Sequence, residues 1–135
     1  MPLDPSAFVA DPELFHALEV RSTPVSCDED LTLFQQGEPA IGLYMLHAGD
    51  ATLSIDSDEG VPILSVRATA GSLLGLPSLL GNQSYTMTAI AHAGAQVSFV
   101  SQGEFTALIE ANPDLSLKVL KVLANEVRSA RRALY

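Results

Sequence analysis

Three histidines, one cysteine and scattered hydroxyls are the side chains of this 135-residue chain that could ligate a metal or attack a substrate. His16, His47 and His92 lie far apart and lack the clustered spacing of a zinc or cupin metal site, so each is expected to face solvent or to be hydrogen-bonded. Cys27 is alone. It allows no internal disulfide and is too few for an iron–sulfur cluster, which takes about four thiolates, so a buried structural thiol is expected. The chain has no Gly-x-Ser-x-Gly, no Walker loop and no Gly-x-Gly-x-x-Gly, the short signatures of nucleophiles and phosphate cradles. Neither metal, cofactor nor enzyme chemistry is therefore expected. Asn82-Gln83-Ser84, formally a glycosylation sequon, reads as a turn.

The elements that would position any site must then be read from pattern and charge. Hydrophobic residues make up 47% of the chain and charged residues 17%, against roughly 25% charged in ordinary soluble domains, which excludes overall disorder. The formal net charge is −9, a sign that gains nothing from displacing counterions around a phosphate backbone, so nucleic-acid binding by this chain alone is not expected. Residues 1–60 carry 12 acids and a single base, Arg21, whereas residues 61–135 carry four acids and six bases. Between Ala68 and Gly103 there is no Asp, Glu, Lys or Arg. A membrane span needs about 18 to 20 continuous apolar residues, and Gly71, Gly75, Pro77 and Gly81–Ser84 interrupt this run, so it reads as buried strands and turns. The N-terminus has acids and no base before Arg21, unlike a secretory signal, so a cytoplasmic protein without a membrane partner is expected.

Asp11-Pro12 ahead of Leu14, Phe15 and Leu18 predicts a short capped helix. From Pro24 the apolar period becomes two, through Leu31/Leu33, Leu43/Met45 and Ala51/Leu53/Ile55, with an acidic hairpin turn at Asp56–Gly60 before a strand at Pro62–Val66. Residues from about 22 to 101 read as a β-roll, and about 102 to 135 as helices, within a single domain of residues 1–135. Gln102–Ala111 predicts an amphipathic helix. Asn112-Pro113-Asp114 then predicts an N-cap, a first-turn proline and a first-turn acid opening a long helix to the C-terminus. On that helix Leu115, Val119 and Val122 line one face, while Leu120, Leu123, Val127, Ala130 and Leu134 recur on another. Two apolar faces need two partners, so the second set is expected to bury itself against a second copy of the chain.

The run from Leu33 to Asp50 (Leu33-Phe34-Gln35-Gln36-Gly37-Glu38-Pro39-Ala40-Ile41-Gly42 and onward), then Gly71-Ser72-Leu73-Leu74-Gly75, then Asn112-Pro113-Asp114 before a long helix, resembles the cyclic nucleotide-binding domain of the Crp/Fnr regulators. The resemblance runs from about Leu14 to Tyr135. It implies a mainly β (α+β) fold: a double-stranded β-helix, or jelly roll, flanked by short helices, with a long C-terminal dimerisation helix. It also implies a phosphate-binding cassette after Gly75, in which a Glu holds the ribose hydroxyl and an Arg about ten residues on pairs with the cyclic phosphate. A buried phosphate needs such a charge-assisted fork. Here the Glu position holds Leu76 and the Arg position Tyr85, and the charge-free window supplies no substitute. Hydroxyls that some members carry on the long helix to contact the purine fall on Ala130 and Arg131. The cassette is thus degenerate, and binding of cAMP or cGMP is not expected. Haem-binding relatives exist, and the dispersed histidines argue against haem here.

Two readings of the cassette stay open. Leu73, Leu74, Gly75, Leu76, Leu79, Tyr85 and Met87 could line an apolar pocket with Ser78, Ser84 or Thr86 as polar fixers, making a receptor for an uncharged apolar or aromatic molecule. Leu76 and Tyr85 could instead fill the space, and this reading is preferred: a non-enzymatic regulatory domain acting as a homodimer through protein partners. Crp/Fnr regulators carry a helix-turn-helix domain beyond the long helix. This chain stops at Tyr135, so a stand-alone sensor domain is expected.

Overall fold

The computed structural model describes residues 4–81 and 83–134, with no side chain described at 130 and 132–134. A 3₁₀ turn, Pro5–Phe8, precedes α1 (Pro12–Glu19), whose N-cap Asp11 accepts from the Glu13 N–H with Pro12 in the first turn, as the sequence predicts. The strands are β1 (Thr23–Val25), β2 (Leu31–Phe34), β3 (Gly42–Ala48), β4 (Ala51–Asp56), β5 (Pro62–Ala68), β6 (Ser72–Leu74), β7 (Thr88–Ala91) and β8 (Gln96–Ser101). A short helix α2 (Leu76–Leu80) sits between β6 and β7, and α3 (Gln102–Ala111) and α4 (Leu115–Leu134) close the chain.

The strands form two four-stranded antiparallel sheets of order β1-β8-β3-β6 and β2-β7-β4-β5. Non-sequential neighbours in both sheets, all antiparallel, make a jelly roll of the kind expected. The β1-β8-β3-β6 sheet is buried on both faces. Leu43 and Met45 of β3, Leu73 of β6 and Val100 of β8 face one core, shared with α1, α3 and the first half of α4. Leu46, Leu74 and Val97 face the other core, inside the roll. In the second sheet Ala51 and Leu53 point inward, while Thr52 and Ser54 are only partly covered. The alternation of strand side chains assigns each residue to its core.

Two local features depart from the sequence reading. The charge-free window holds a helix, α2, as well as strands and turns; Gly75 at φ +92° starts it, a conformation cheap only for glycine. Asn112 closes α3 instead of capping α4: its side-chain amide donates to the Leu108 carbonyl at 3.2 Å. The chain enters α4 through two tight turns, from Leu115 N–H to the Asn112 carbonyl and from Ser116 N–H to the Pro113 carbonyl. Asn side chains compete for backbone partners at both kinds of helix end, and here the earlier helix wins.

The first half of α4 is fixed by Leu115, Val119 and Val122, all buried, and by Lys118, whose Nζ lies 3.1 Å from Asp11 and 3.5 Å from Glu13. The second half lies over the roll beside the 3₁₀ turn, where the Asp4 N–H donates to the Ser129 hydroxyl at 2.6 Å. Among the described residues no helix is long and apolar enough to cross a membrane.

Candidate functional site

Two loops meet at the mouth of the roll. The Gln35–Ala40 turn pairs with the segment after α2: Gly37 N–H donates to the Tyr85 carbonyl, Tyr85 N–H to the Glu38 carbonyl and Ala40 N–H to the Gln83 carbonyl. That ladder fixes the Tyr85 backbone, and the side chain then turns inward. The Tyr85 ring stacks on Phe34, with centroids 4.0 Å apart and planes 13° from parallel. Its hydroxyl donates to the Gly42 carbonyl at 2.7 Å and accepts from the Ile41 N–H at 3.3 Å. With both functions of the hydroxyl used, Tyr85 is 3% exposed, and burial raises its phenol above the usual value. A Cβ on Gly75 would lie 2.9 Å from Tyr85 Cε1, so glycine is required there by space as well as by φ.

What remains beneath this stack is a cavity of about 20 Å³ lined by Phe8, Phe34, Leu53, Gly75, Pro77, Ser78, Tyr85, Thr86, Met87 and Glu126. Such a volume suits one water molecule. The Ser78 hydroxyl accepts from the Thr86 N–H at 3.3 Å. No described cation lines the cavity. The single ionisable group besides Tyr85 is Glu126 of α4, whose Oε2 is sealed from solvent without a hydrogen-bond partner among the described residues. Burial pushes its carboxyl up to about 8, because an unpartnered charge in such a site is strongly disfavoured.

Of the cassette residues singled out from the sequence, Gly75, Ser78, Tyr85, Thr86 and Met87 come together around this cavity. Leu73, Leu76 and Leu79 belong to the other core, under the helices, and Leu74 packs inside the roll without lining the cavity. Ser84 is exposed and bridges to Pro39. Sequence reasoning missed Phe8, Phe34, Leu53, Pro77 and Glu126. Glu126 had a signal: it stands four residues after Val122, in line with the buried face of α4.

On the opposite face of α4, Leu120 and Val127 are 57% and 55% exposed, and Leu117, missed in the sequence, is 68% exposed. Leu123 is half-buried against the helical core. The side chains of Ala130 and Leu134 lie outside the described residues.

Two of the three histidines lie against hydroxyls, and His16 is exposed. His47 Nε2 lies 2.7 Å from the Ser98 hydroxyl, with Phe15 edge-on to its ring, and His92 Nε2 lies 2.7 Å from the Thr52 hydroxyl. No carboxylate orients His47 among the described residues, so its contact with Ser98 lacks the third member of a nucleophilic triad. Among the described residues no group of three or more His, Cys, Asp or Glu is placed to hold a metal. Cys27 is buried, its thiol against the carbonyls of Glu29, Ala91 and His92.

The fold is shared with the catabolite activator protein of Thermus thermophilus, at a TM-score of 0.79 and 21% identity over 97% of this chain. The present chain spans 62% of the length of that protein. The N-terminal domain of a transcriptional regulator from Streptomyces coelicolor A3(2) superposes with a TM-score of 0.68 at 22% identity, covering 96% of this chain and 90% of that one. The sensor domain of the transcriptional regulator DNR from Pseudomonas aeruginosa does so at 0.68 and 24%, covering 90% and 81%. No curated protein sequence matches the chain. The family profile for the cyclic nucleotide-binding domain matches residues 24–112, from β1 to the end of α3, and on that match the chain belongs to the cyclic nucleotide-binding domain family.

Proposed function

We propose that this is a non-enzymatic regulatory domain of the cyclic nucleotide-binding type whose own cassette binds neither cAMP nor cGMP, and which acts as a homodimer through protein partners. The observation that carries this reading is Tyr85. It stands where the resemblance expects the phosphate-binding arginine, and its ring and hydroxyl fill the space under α2, leaving about 20 Å³. Leu76, where the ribose-binding glutamate is expected, is fully buried in the other core. A cyclic phosphate placed here would meet no cation among the described residues and would share the cavity with Glu126, whereas a buried anion requires paired charge. A receptor for an apolar effector would call for a pocket of about 300 Å³ or more, which supports the filled scaffold over the receptor. Calorimetric titration with cAMP and cGMP tests the reading directly: the expected result is no heat of binding, and stoichiometric tight binding refutes it. A thermal-shift screen with aromatic and apolar acids tests the receptor in the same way, since a ligand at 100 times its dissociation constant adds about 2.7 kcal/mol.

The dimer rests on the exposed face of α4. Leu117, Leu120 and Val127 are large, apolar and more than half exposed, and the spacing of three and seven puts them on one stripe. Burying such a stripe against its symmetry copy is the economical solution. Light scattering is expected to give a dimer for the wild-type chain and a monomer for Val127→Glu; a monomeric wild type refutes the dimer. Output through protein partners agrees with the net charge of −9, which is unsuited to a phosphate backbone.

A further inference from the structure

Among the described residues Glu126 is the acid that lines the roll mouth, and its Oε2 is buried there without a hydrogen-bond partner. It lines the cassette cavity from the α4 side, together with Phe8 of the 3₁₀ turn, Phe34 of β2, Leu53 of β4 and Ser78 of α2. None of these elements turns a cation toward it. From the loop before β7 the ionisable residue lining the same cavity is Tyr85, whose phenol already donates to Gly42. The 3₁₀ turn is preceded by Asp4, whose N–H is bound to Ser129 and whose carboxylate accepts from Ser6. On α4 itself Arg128 is exposed and donates to the Asn125 side chain, and Lys118 is bridged to Asp11 and Glu13 two turns away.

The two halves of α4 are held differently. Leu115, Val119 and Val122 anchor the first half in apolar core, while the described anchors of the second half that face the roll are polar, Glu126 and Ser129. Only the neutral form of Glu126 fits the closed site, since burial pushes its carboxyl up to about 8. We propose that Glu126 is a proton-operated latch, which in its neutral form seats the second half of α4 on the roll mouth and on losing its proton to solvent releases that half from the roll. The first half stays docked, so the moving part begins just after Val122, within the stripe proposed to meet the second subunit.

Linkage gives the size of the effect. With the carboxyl at 4.5 when released and about 8 when seated, the opening equilibrium rises about tenfold per pH unit between those values and then levels off. The latch deepens the regulatory reading above, because it names what moves the helix against the roll. The two fail separately: nucleotide binding would refute that reading and leave the latch standing or falling on its own measurement.

That measurement is amide hydrogen exchange on the full chain between pH 5 and 8, read by NMR for residues 123–129. Base catalysis alone makes exchange rise about tenfold per pH unit, and the latch adds about a further tenfold, so the logarithmic slope is expected near 2 in wild type and near 1 in Glu126→Gln. These amides should also exchange at least about tenfold faster than those of β3 and β8, as local opening requires. A wild-type slope near 1, a slope near 2 that persists in Glu126→Gln, or rates equal to those of β3 and β8 overturns the latch. Should Glu126→Gln fail to fold, the wild-type slope together with the Glu126 carboxyl ¹³C titration decides: a midpoint between the released value of 4.5 and the seated value of about 8 upholds the latch, because ionisation is then coupled to release, and one at either limit overturns it.

Discussion

Replacing Glu126 by Gln should stabilise the folded domain by an amount that depends on pH, and the structure sets both sign and size. Gln keeps the shape of the neutral acid and cannot ionise. In the seated wild type the carboxyl is pushed up to about 8 from 4.5. Below pH 4.5 both the folded and unfolded states are protonated, and the acid costs nothing that Gln would not. Between 4.5 and 8 the unfolded carboxyl ionises while the folded one does not, so wild-type stability falls as pH rises through that window. At pH 7 the gap is 2.5 decades, about 3.4 kcal/mol as an upper figure. Part of the residue stays solvent-accessible, which lowers the expectation to about 2 to 3 kcal/mol. With an unfolding entropy of about 2.1 cal/mol/K per residue, 135 residues gain about 3.5 °C per kcal/mol. Glu126→Gln should therefore melt about 7 to 11 °C above wild type at pH 7 and level with it at pH 4. Thermal melts by circular dichroism at the two pH values suffice. A variant equally displaced at both, or less stable at pH 7, would show that Glu126 is not held neutral inside the roll.

Tyr85→Phe keeps the stack on Phe34 and removes the donor to the buried Gly42 carbonyl, so urea unfolding should show a loss of about 1 to 2 kcal/mol; an unchanged midpoint would mean that the hydroxyl is idle. Gly75→Ala places a Cβ 2.9 Å from Tyr85 at φ +92°, whereas Gly60→Ala at φ +80° meets nothing within 4 Å. The second change should cost about 1 kcal/mol from backbone strain alone, and the first should exceed it by at least about 1 kcal/mol because of the clash. Equal losses would refute the close approach of Tyr85 to the cassette turn.

The roll was legible because its strands keep period two where one face is wet, as in Ala51/Leu53/Ile55, and because glycine turns punctuate them. It was hardest to read in β3 and β6, where Leu43 and Met45 face the helices while Leu46 and Leu74 face the roll interior. With both faces dry, apolar content stops telling inside from outside. Leu73, Leu74, Leu76 and Leu79 looked like one pocket for the same reason, and they divide between two cores. α2 escaped notice because Leu-Pro-Ser-Leu-Leu is shorter than two helical turns and shows no period. Asn112 misled because its side chain serves equally well at the end of one helix and the start of the next, and only the path of the chain decides.

The Glu126 signal was present and was passed over for a different reason. The core face of α4 runs through Leu115, Val119 and Val122, at intervals of four and three; the next two positions of the same progression are Glu126 and Ser129. Apolar residues without a partner stand out in the sequence, whereas a polar continuation of the face that has one carries no hydropathy signal. A helix that merely needed to stay docked would continue this row with Leu or Val, since an unpaired acid there lowers stability at pH 7. The domain tolerates that loss at a single point, where α4 passes from the helical core onto the roll. Ser129 takes its hydrogen bond from the Asp4 N–H and so is satisfied; Glu126 Oε2 has no partner among the described residues. The unsatisfied position, more than the exposed leucines, is where packing and function part company, because a residue that weakens the seat it occupies makes that seat conditional on its proton.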